Sequence, residues 1–235
     1  MHNVLLSGET SFNLEVPYKL LETGREGEKP LMVYLHGFSQ NIDRFQDKLK
    51  PLIELEAYHL FVQGPYPLYD RSREKKVEDW GRAWYLYDGD PDQFVRSLEQ
   101  SSAFLQEIVD TMRRTLEIER LCLVGYSMGG YLAGYFALSR WNYVNELVVV
   151  GARIKTEVFE GGEIDISHQH ILALHGKRDE SVKSEGQRQS VKELKEWGAR
   201  AEFREIDEGH RLTRPYLDEI SDWLTDHGYS FASDG

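Results

Sequence analysis

The stretch Leu121-Cys122-Leu123-Val124-Gly125-Tyr126-Ser127-Met128-Gly129-Gly130, followed by Tyr131-Leu132-Ala133-Gly134-Tyr135-Phe136-Ala137-Leu138, decides how this chain is read. The apolar run before Gly125 suits a strand buried on both faces, and the run after Gly130 suits a helix. A serine between them, with glycine two residues away on either side, predicts a sharp strand-to-helix turn. Ser127 would take the strained position at its tip and project its hydroxyl above the sheet, while the glycines let strand and helix approach closely. Cys122 is the single cysteine, so no internal disulfide forms, and within this run it reads as a small core hydrophobe.

Outward from this turn, short apolar runs alternate with longer amphipathic stretches from about Leu31 onward. The runs 31–35, 58–62, 147–150 and 171–174 have the same two-sided apolar character, whereas 201–206 alternates and suits a sheet edge. Residues 11–16 read as a weaker strand in a starting hairpin. A helix is predicted to begin at Asp90-Pro91, with Asp90 as cap and Phe94, Leu98, Leu105, Ile108, Val109, Met112 and Leu116 as its stripe. A second, with Val191, Leu194 and Trp197, stops at Gly198, and a third follows Pro215 with Leu217, Ile220, Trp223 and Leu224. The pattern predicts one α/β domain over residues 1–235, a mainly parallel twisted sheet with helices on both faces. Residues 152–169 are too few for a cap domain. The long segment 64–90, charged around Arg71 to Lys76 and aromatic at Trp80, Trp84, Tyr85 and Tyr87, reads as functional or mobile.

Composition narrows the partners. In a chain of 235 residues, 28 Lys and Arg stand against 40 Asp and Glu, a formal charge of −12, which repels phosphate backbones and anionic membrane surfaces. Nucleic-acid binding is not expected, nor is integral membrane association, because no apolar run reaches spanning length and no basic segment precedes one at the amino terminus. The expectation is a cytoplasmic protein.

A serine hydroxyl attacks poorly at neutral pH unless a base takes its proton and a third group orients that base. His175-Gly176-Lys177-Arg178-Asp179 follows one predicted strand and supplies Asp179, and Asp207-Glu208-Gly209-His210 follows the next and supplies His210. Ser127, Asp179 and His210 thus all fall at carboxyl ends of strands, where open parallel sheets gather their reacting groups. Asp207 is the alternative acid. His175 and His227 are the alternative bases, the first better suited to supporting the acid loop and the second to a helix terminus. His168 and His170 lack the companions of a metal site, and no cofactor is expected. An oxyanion would need fixed N–H donors: Met128, directly after the serine, and Phe38 in the turn Leu35-His36-Gly37-Phe38. His36 reads as holding that turn.

Together, Leu35-His36-Gly37-Phe38, Gly125-Tyr126-Ser127-Met128-Gly129-Gly130, the segment from His175 to Val182 and Glu208-Gly209-His210 resemble the α/β-hydrolase superfamily, and within it the phospholipase/carboxylesterase branch. The resemblance implies a cofactor-free esterase or thioesterase in which Ser127 is nucleophile, His210 base and Asp179 its partner. It also implies that the segment from Gly81 to Trp84 lines the acyl side, so Trp80, Trp84 and Tyr85 are candidate pocket residues. Met128 stands where the thioesterases usually carry glutamine, and residues 66–78 are unusually charged, both of which bear on the substrate.

The leading expectation is a serine carboxylesterase for a small-molecule ester of small or medium acyl chain, with a homodimer admitted. A thioesterase or lysophospholipase-type activity would use the same residues, and a non-catalytic ligand binder of the same fold is the alternative from another class.

Overall fold

The computed structural model describes residues 6–8, 10 and 13–232. The chain opens with β1 (Tyr18–Glu22) and β2 (Lys29–Leu35), then α1 (Ile42–Lys48), α2 (Lys50–Ile53) and β3 (Tyr58–Val62). Two short strands, β4 (Tyr66–Pro67) and β5 (Arg82–Ala83), precede the long helix α3 (Pro91–Thr115). The second half runs β6 (Ile118–Tyr126), α4 (Met128–Ser139), β7 (Glu146–Val150), β8 (His170–Gly176), α5 (Ser184–Glu196), β9 (Arg200–Ile206) and α6 (Arg214–Asp226).

Seven strands pair in the order β1-β3-β2-β6-β7-β8-β9, all parallel except β1, which runs antiparallel to β3. The alternation of side chains along each strand sorts the core into two layers. Leu31, Val33, Leu35, Leu121, Leu123, Leu147, Val149, Ile171 and Ala173 pack against α3, α4 and α5. Met32, Tyr34, Cys122, Val124, Val148, Val150, Leu172 and Leu174 face the other way, onto α1 and α6. Because both faces are covered, these strands are apolar throughout, which made them legible as runs.

The alternating run at 200–206 does form an edge strand, β9. α3 starts where expected, with the Asp90 carboxylate accepting from the N–H groups of Asp92 and Gln93. It ends at Thr115, one residue short of Leu116. α5 stops before Gly198, which takes a left-handed φ of 96°.

Two readings need correction. The first strand is not at 11–16: residues 11 and 12 lie outside the described residues, 13–16 carry no strand, and β1 begins at Tyr18. It pairs with β3 rather than forming a hairpin with β2, because β3 leaves the sheet edge open and Lys19, Leu20 and Leu21 can align with Phe61, Leu60 and His59 there. The helical turns over 42–53 were not anticipated. Asn41 caps α1 by accepting from the Arg44 N–H at 3.0 Å, and Ile42, Phe45, Leu49 and Leu52 are buried beneath it, a stripe cut short by the Lys50-Pro51 break. Between β7 and β8 the regular structure is a short 3-10 turn, Thr156–Val158, so no cap domain is inserted at that point.

Candidate active site

β6 ends at Tyr126 and α4 begins at Met128, so Ser127 makes the turn alone. Its backbone sits at φ 52° and ψ −119°, a conformation that costs a non-glycine residue about 1–3 kcal/mol. The turn is held from both sides: the Ser127 N–H donates to the Val150 carbonyl at 2.8 Å, and the Ser127 carbonyl accepts from Gly130 and Tyr131 N–H. A Cβ on Gly129 would lie 2.6 Å from the His36 carbonyl oxygen. That glycine therefore lets the helix start abut the turn after β2.

Ser127 Oγ lies 2.9 Å from His210 Nε2, and His210 Nδ1 lies 2.7 Å from Asp179 Oδ2. The Asp179 carboxylate is fully buried, while the His210 ring keeps 22% of its side-chain surface exposed. Asp179 Oδ1 accepts from the N–H groups of Ser181 and Val182 at 2.8 and 3.0 Å. Burial pushes this carboxyl up, but the His210 hydrogen bond and those two backbone donors outweigh it and hold the carboxyl below the usual range. With the acid ionised, Nδ1 carries the proton and Nε2 is free to accept from the Ser127 hydroxyl.

Two tyrosines that sequence reasoning missed fasten the His210 loop. The Tyr126 hydroxyl donates to the His210 carbonyl at 2.7 Å, and the Tyr216 hydroxyl donates to the Gly209 carbonyl at 2.9 Å. Position 176 must be glycine for the same loop to close, since a Cβ there would lie 2.6 Å from both the Gly209 carbonyl and the Tyr216 hydroxyl. Tyr126 immediately precedes the serine, which was the available signal. Tyr216 sits six residues past His210, with nothing local to mark it.

Among the described residues, the N–H groups of Phe38 and Met128 have no acceptor, whereas those of Gly37 and Ser39, on either side of Phe38, are bonded. His36 is buried and donates from Nδ1 to the Gly37 carbonyl at 2.8 Å while Nε2 accepts from the Gly64 N–H at 3.0 Å. Burial lowers its pKa to about 4, so it is a neutral strut for the turn.

Of the aromatic residues expected around a pocket, Tyr85 lines one. It borders a cavity of about 330 Å³ together with Tyr87, Phe94, Tyr131, Arg153 and Lys155. Trp84 is fully buried, its Nε1–H donating to the His36 carbonyl at 2.7 Å and its ring 4.9 Å from the imidazole. It supports the turn from beneath and lines nothing, because the indole is packed and satisfied there. Trp80 lies against Tyr69 at 5.0 Å and donates to the Lys75 carbonyl, alongside the exposed residues 71–79 and away from the cavity. Phe94 and Tyr131 had been read only as helix residues. The signal for Tyr131 was its place four residues after Ser127, one helical turn along the same face.

Of the rival groups only His175 approaches the triad, its Nε2 3.5 Å from Asp179 Oδ2. Asp207 is exposed and paired with Arg178. His175 is buried beneath the acid loop, bonded to the Val182 carbonyl and to Gln187 Oε1. His227 closes α6 with Nδ1 on the Trp223 carbonyl, and His168 and His170 contact Trp141 and Arg200.

A mostly parallel sheet wrapped by helices on both faces, with a strained serine at the turn after β6, defines the α/β-hydrolase fold. The chain belongs to the phospholipase/carboxylesterase family, whose model matches residues 17–227. The fold is similar to that of a Bacillus cereus carboxylesterase, 16% identical with a TM-score of 0.74 over 91% of this chain and 95% of that one. It is also similar to acyl-protein thioesterase 2 of Zea mays, 20% identical with a TM-score of 0.68 over 89% and 98%. In sequence it matches the Caenorhabditis elegans abhydrolase domain-containing protein abhd-5.2, 24% identical over 147 residues that make up 58% of this chain. The matched stretches span less than a third of the curated relatives, 29% of that one and 15% of an Arabidopsis thaliana 1-acylglycerol-3-phosphate O-acyltransferase. Among the described residues no helix is long and apolar enough to cross a membrane.

Proposed function

We propose that the protein is a serine carboxylesterase that cleaves small-molecule esters of small or medium acyl chain through an acyl-enzyme. The observation that carries this is the chain of contacts from Ser127 Oγ through His210 to Asp179, at 2.9 and 2.7 Å, ending on a strained serine. Ser127 Oγ attacks the ester carbonyl as its proton passes to His210 Nε2, and Asp179 holds the ring and stabilises the imidazolium. The developing oxyanion is received by the N–H groups of Phe38 and Met128, which give up no existing hydrogen bond to take it. His210 then gives its proton to the departing alkoxide as the bond from the acyl carbon to the leaving oxygen breaks. Water attacks the acyl-serine carbonyl as His210 Nε2 takes its proton, and that proton passes to Ser127 Oγ as the bond from the acyl carbon to Oγ breaks and the acid leaves. Every step balances with these residues and water alone.

A thioester would react by the same steps, with a better leaving group. The test is labelling of the purified protein with a fluorophosphonate, read by intact mass, beside hydrolysis of matched 4-nitrophenyl esters and thioesters. We expect one adduct on the native protein, none on Ser127→Ala, and turnover that falls at least about 10³-fold in that variant. A folded protein that neither labels nor turns over would overturn the reading in favour of a ligand binder. Faster turnover of the thioester than its higher intrinsic reactivity explains would move the assignment to thioesterase.

A further inference from the structure

We infer that the substrate carries an anionic group several bonds from the scissile carbonyl, received by Lys155 and Arg153 in the cavity beside Ser127. This rests on the esterase reading and names the class of ester.

The cavity adjoins the reacting serine through two short covalent paths. Tyr131, on its wall, follows Ser127 by four residues, about 6 Å of helical rise, and donates its N–H to the Ser127 carbonyl. Gly151 packs against the His210 ring, where its Cβ position would be 3.3 Å from Nδ1, and Arg153 follows two residues later. A substrate chain bound at Ser127 and laid over Tyr131 would run toward Arg153 and Lys155.

The lining is aromatic except at that end. Tyr85, Tyr87, Phe94 and Tyr131 form the walls with Pro91, and among the described residues Arg153 and Lys155 are the only charged side chains that border the cavity. Both are positive, in a chain whose formal charge is −12. Lys155 keeps only 18% of its side-chain surface exposed and stands 5.6 Å above the Phe94 ring. A cation in that position needs an anionic partner, and the two cations share a single one. Arg153 Nη2 meets Glu157 Oε2 at 2.6 Å, and Lys155 Nζ meets Glu157 Oε1 at 2.6 Å. Burial pushes the Glu157 carboxyl up, yet Lys155 and the backbone together hold it below its ordinary range, so one full negative charge faces two positive ones. Among the described residues, no other carboxylate is at ion-pairing distance from either cation. Glu185 and Glu193 border the groove on the other side of Arg153, and Glu193 is occupied by the Thr156 hydroxyl and by Gln189. One positive charge is thus left over at the end of an aromatic cavity, which suits a carboxylate or a similar anion at the end of a short apolar chain.

The charge could sit on the acyl side or on the alcohol side, and two substrate pairs distinguish them. On the acyl side, mono-4-nitrophenyl glutarate is compared with 4-nitrophenyl valerate; on the alcohol side, 3-acetoxybenzoate is compared with phenyl acetate. We expect kcat/KM to favour the anionic member of one pair by at least about tenfold, and the pair that shows it identifies the side. That ratio should collapse in Lys155→Met, persist in Lys155→Arg, and rise in Glu157→Gln, where the competing carboxylate is gone. A ratio near one in both pairs, with the neutral esters turned over, would overturn this inference and leave the esterase reading standing. So would a preference that survives Lys155→Met and Arg153→Met combined. Absence of turnover on all four esters together with no fluorophosphonate adduct would instead remove the esterase reading, and this inference with it.

Discussion

Asp179→Asn is the sharpest perturbation of the site, because the surroundings of Asp179 dictate how an amide must sit there. Oδ1 is committed to two backbone donors, Ser181 and Val182 N–H. The amide oxygen has to keep that place, since turning it would set an NH2 group against two N–H groups and lose two hydrogen bonds worth about 1 kcal/mol each. The NH2 then points at His210 Nδ1, where the carboxylate oxygen now lies at 2.7 Å, and Nδ1 must accept. The ring proton moves to Nε2, which faces Ser127 Oγ at 2.9 Å, and a protonated nitrogen cannot take the serine's proton. Reaching the productive tautomer means opposing two donors, and the imidazolium formed on attack loses its charge partner. Together these should lower kcat by roughly three to four decades, about 4–5.5 kcal/mol of barrier. The assay is steady-state hydrolysis of 4-nitrophenyl acetate, with a thermal melt to show that the variant is folded. Asp207→Asn is the matched control, exposed and paired only with Arg178, and should stay within about twofold of the native rate. A folded Asp179→Asn that keeps more than a tenth of native kcat would refute the reasoning, as would an equal loss in Asp207→Asn.

Three further outcomes are expected. Gly176→Ala should lower stability by about 1–3 kcal/mol and also depress kcat, because the added methyl group displaces the Gly209 carbonyl and with it the His210 loop; a Tm and a kcat both unchanged would count against that packing. Tyr126→Phe should lose about 1 kcal/mol in chemical denaturation and reduce kcat more than it raises KM, since the hydroxyl holds the His210 carbonyl and not the substrate. His36 and His59 are both lowered from 6.5 to about 4, chiefly by burial, so the unfolded chain binds more protons than the native one between those values. Each should therefore contribute about 3 kcal/mol that is present above pH 6.5 and is lost as the pH falls toward 4. Urea unfolding at pH 7, 5.5 and 4.5 should show the decline, with a smaller slope in His59→Gln; a flat profile would show that neither ring is held neutral.

How much could be read beforehand follows from the range over which each force acts. The strands were legible because a chain covered on both faces must be apolar at every residue, and β9 was legible because an edge strand need not be. α3 announced itself through Asp90 and Pro91, groups that act within one turn. The helical turns over 42–53 were missed because Pro51 divides their stripe into pieces too short to show a period. β1 was misplaced by a few residues because its register is set by β3, forty residues away, and its own side chains are mostly exposed.

The candidate site divides in the same way. From the sequence alone come the serine between strand and helix, the candidate acid and base on the loops after β8 and β9, and the two candidate N–H donors, since backbone sterics and strand ends confine them to short segments. The tertiary structure alone decides that Asp179 is buried against His210 while Asp207 turns to solvent, and that Tyr126 and Tyr216 pin the histidine loop. It also decides that Trp84 supports the turn after β2 from beneath while Tyr85, its neighbour, opens onto a cavity with Tyr131, Arg153 and Lys155. The cavity groups come from three separate segments, the stretch before α3, α4 and the loop after β7. Nothing local in the chain specifies how far apart they stand, because that distance is set by how α3, α4 and the loop after β7 pack on one face of the sheet.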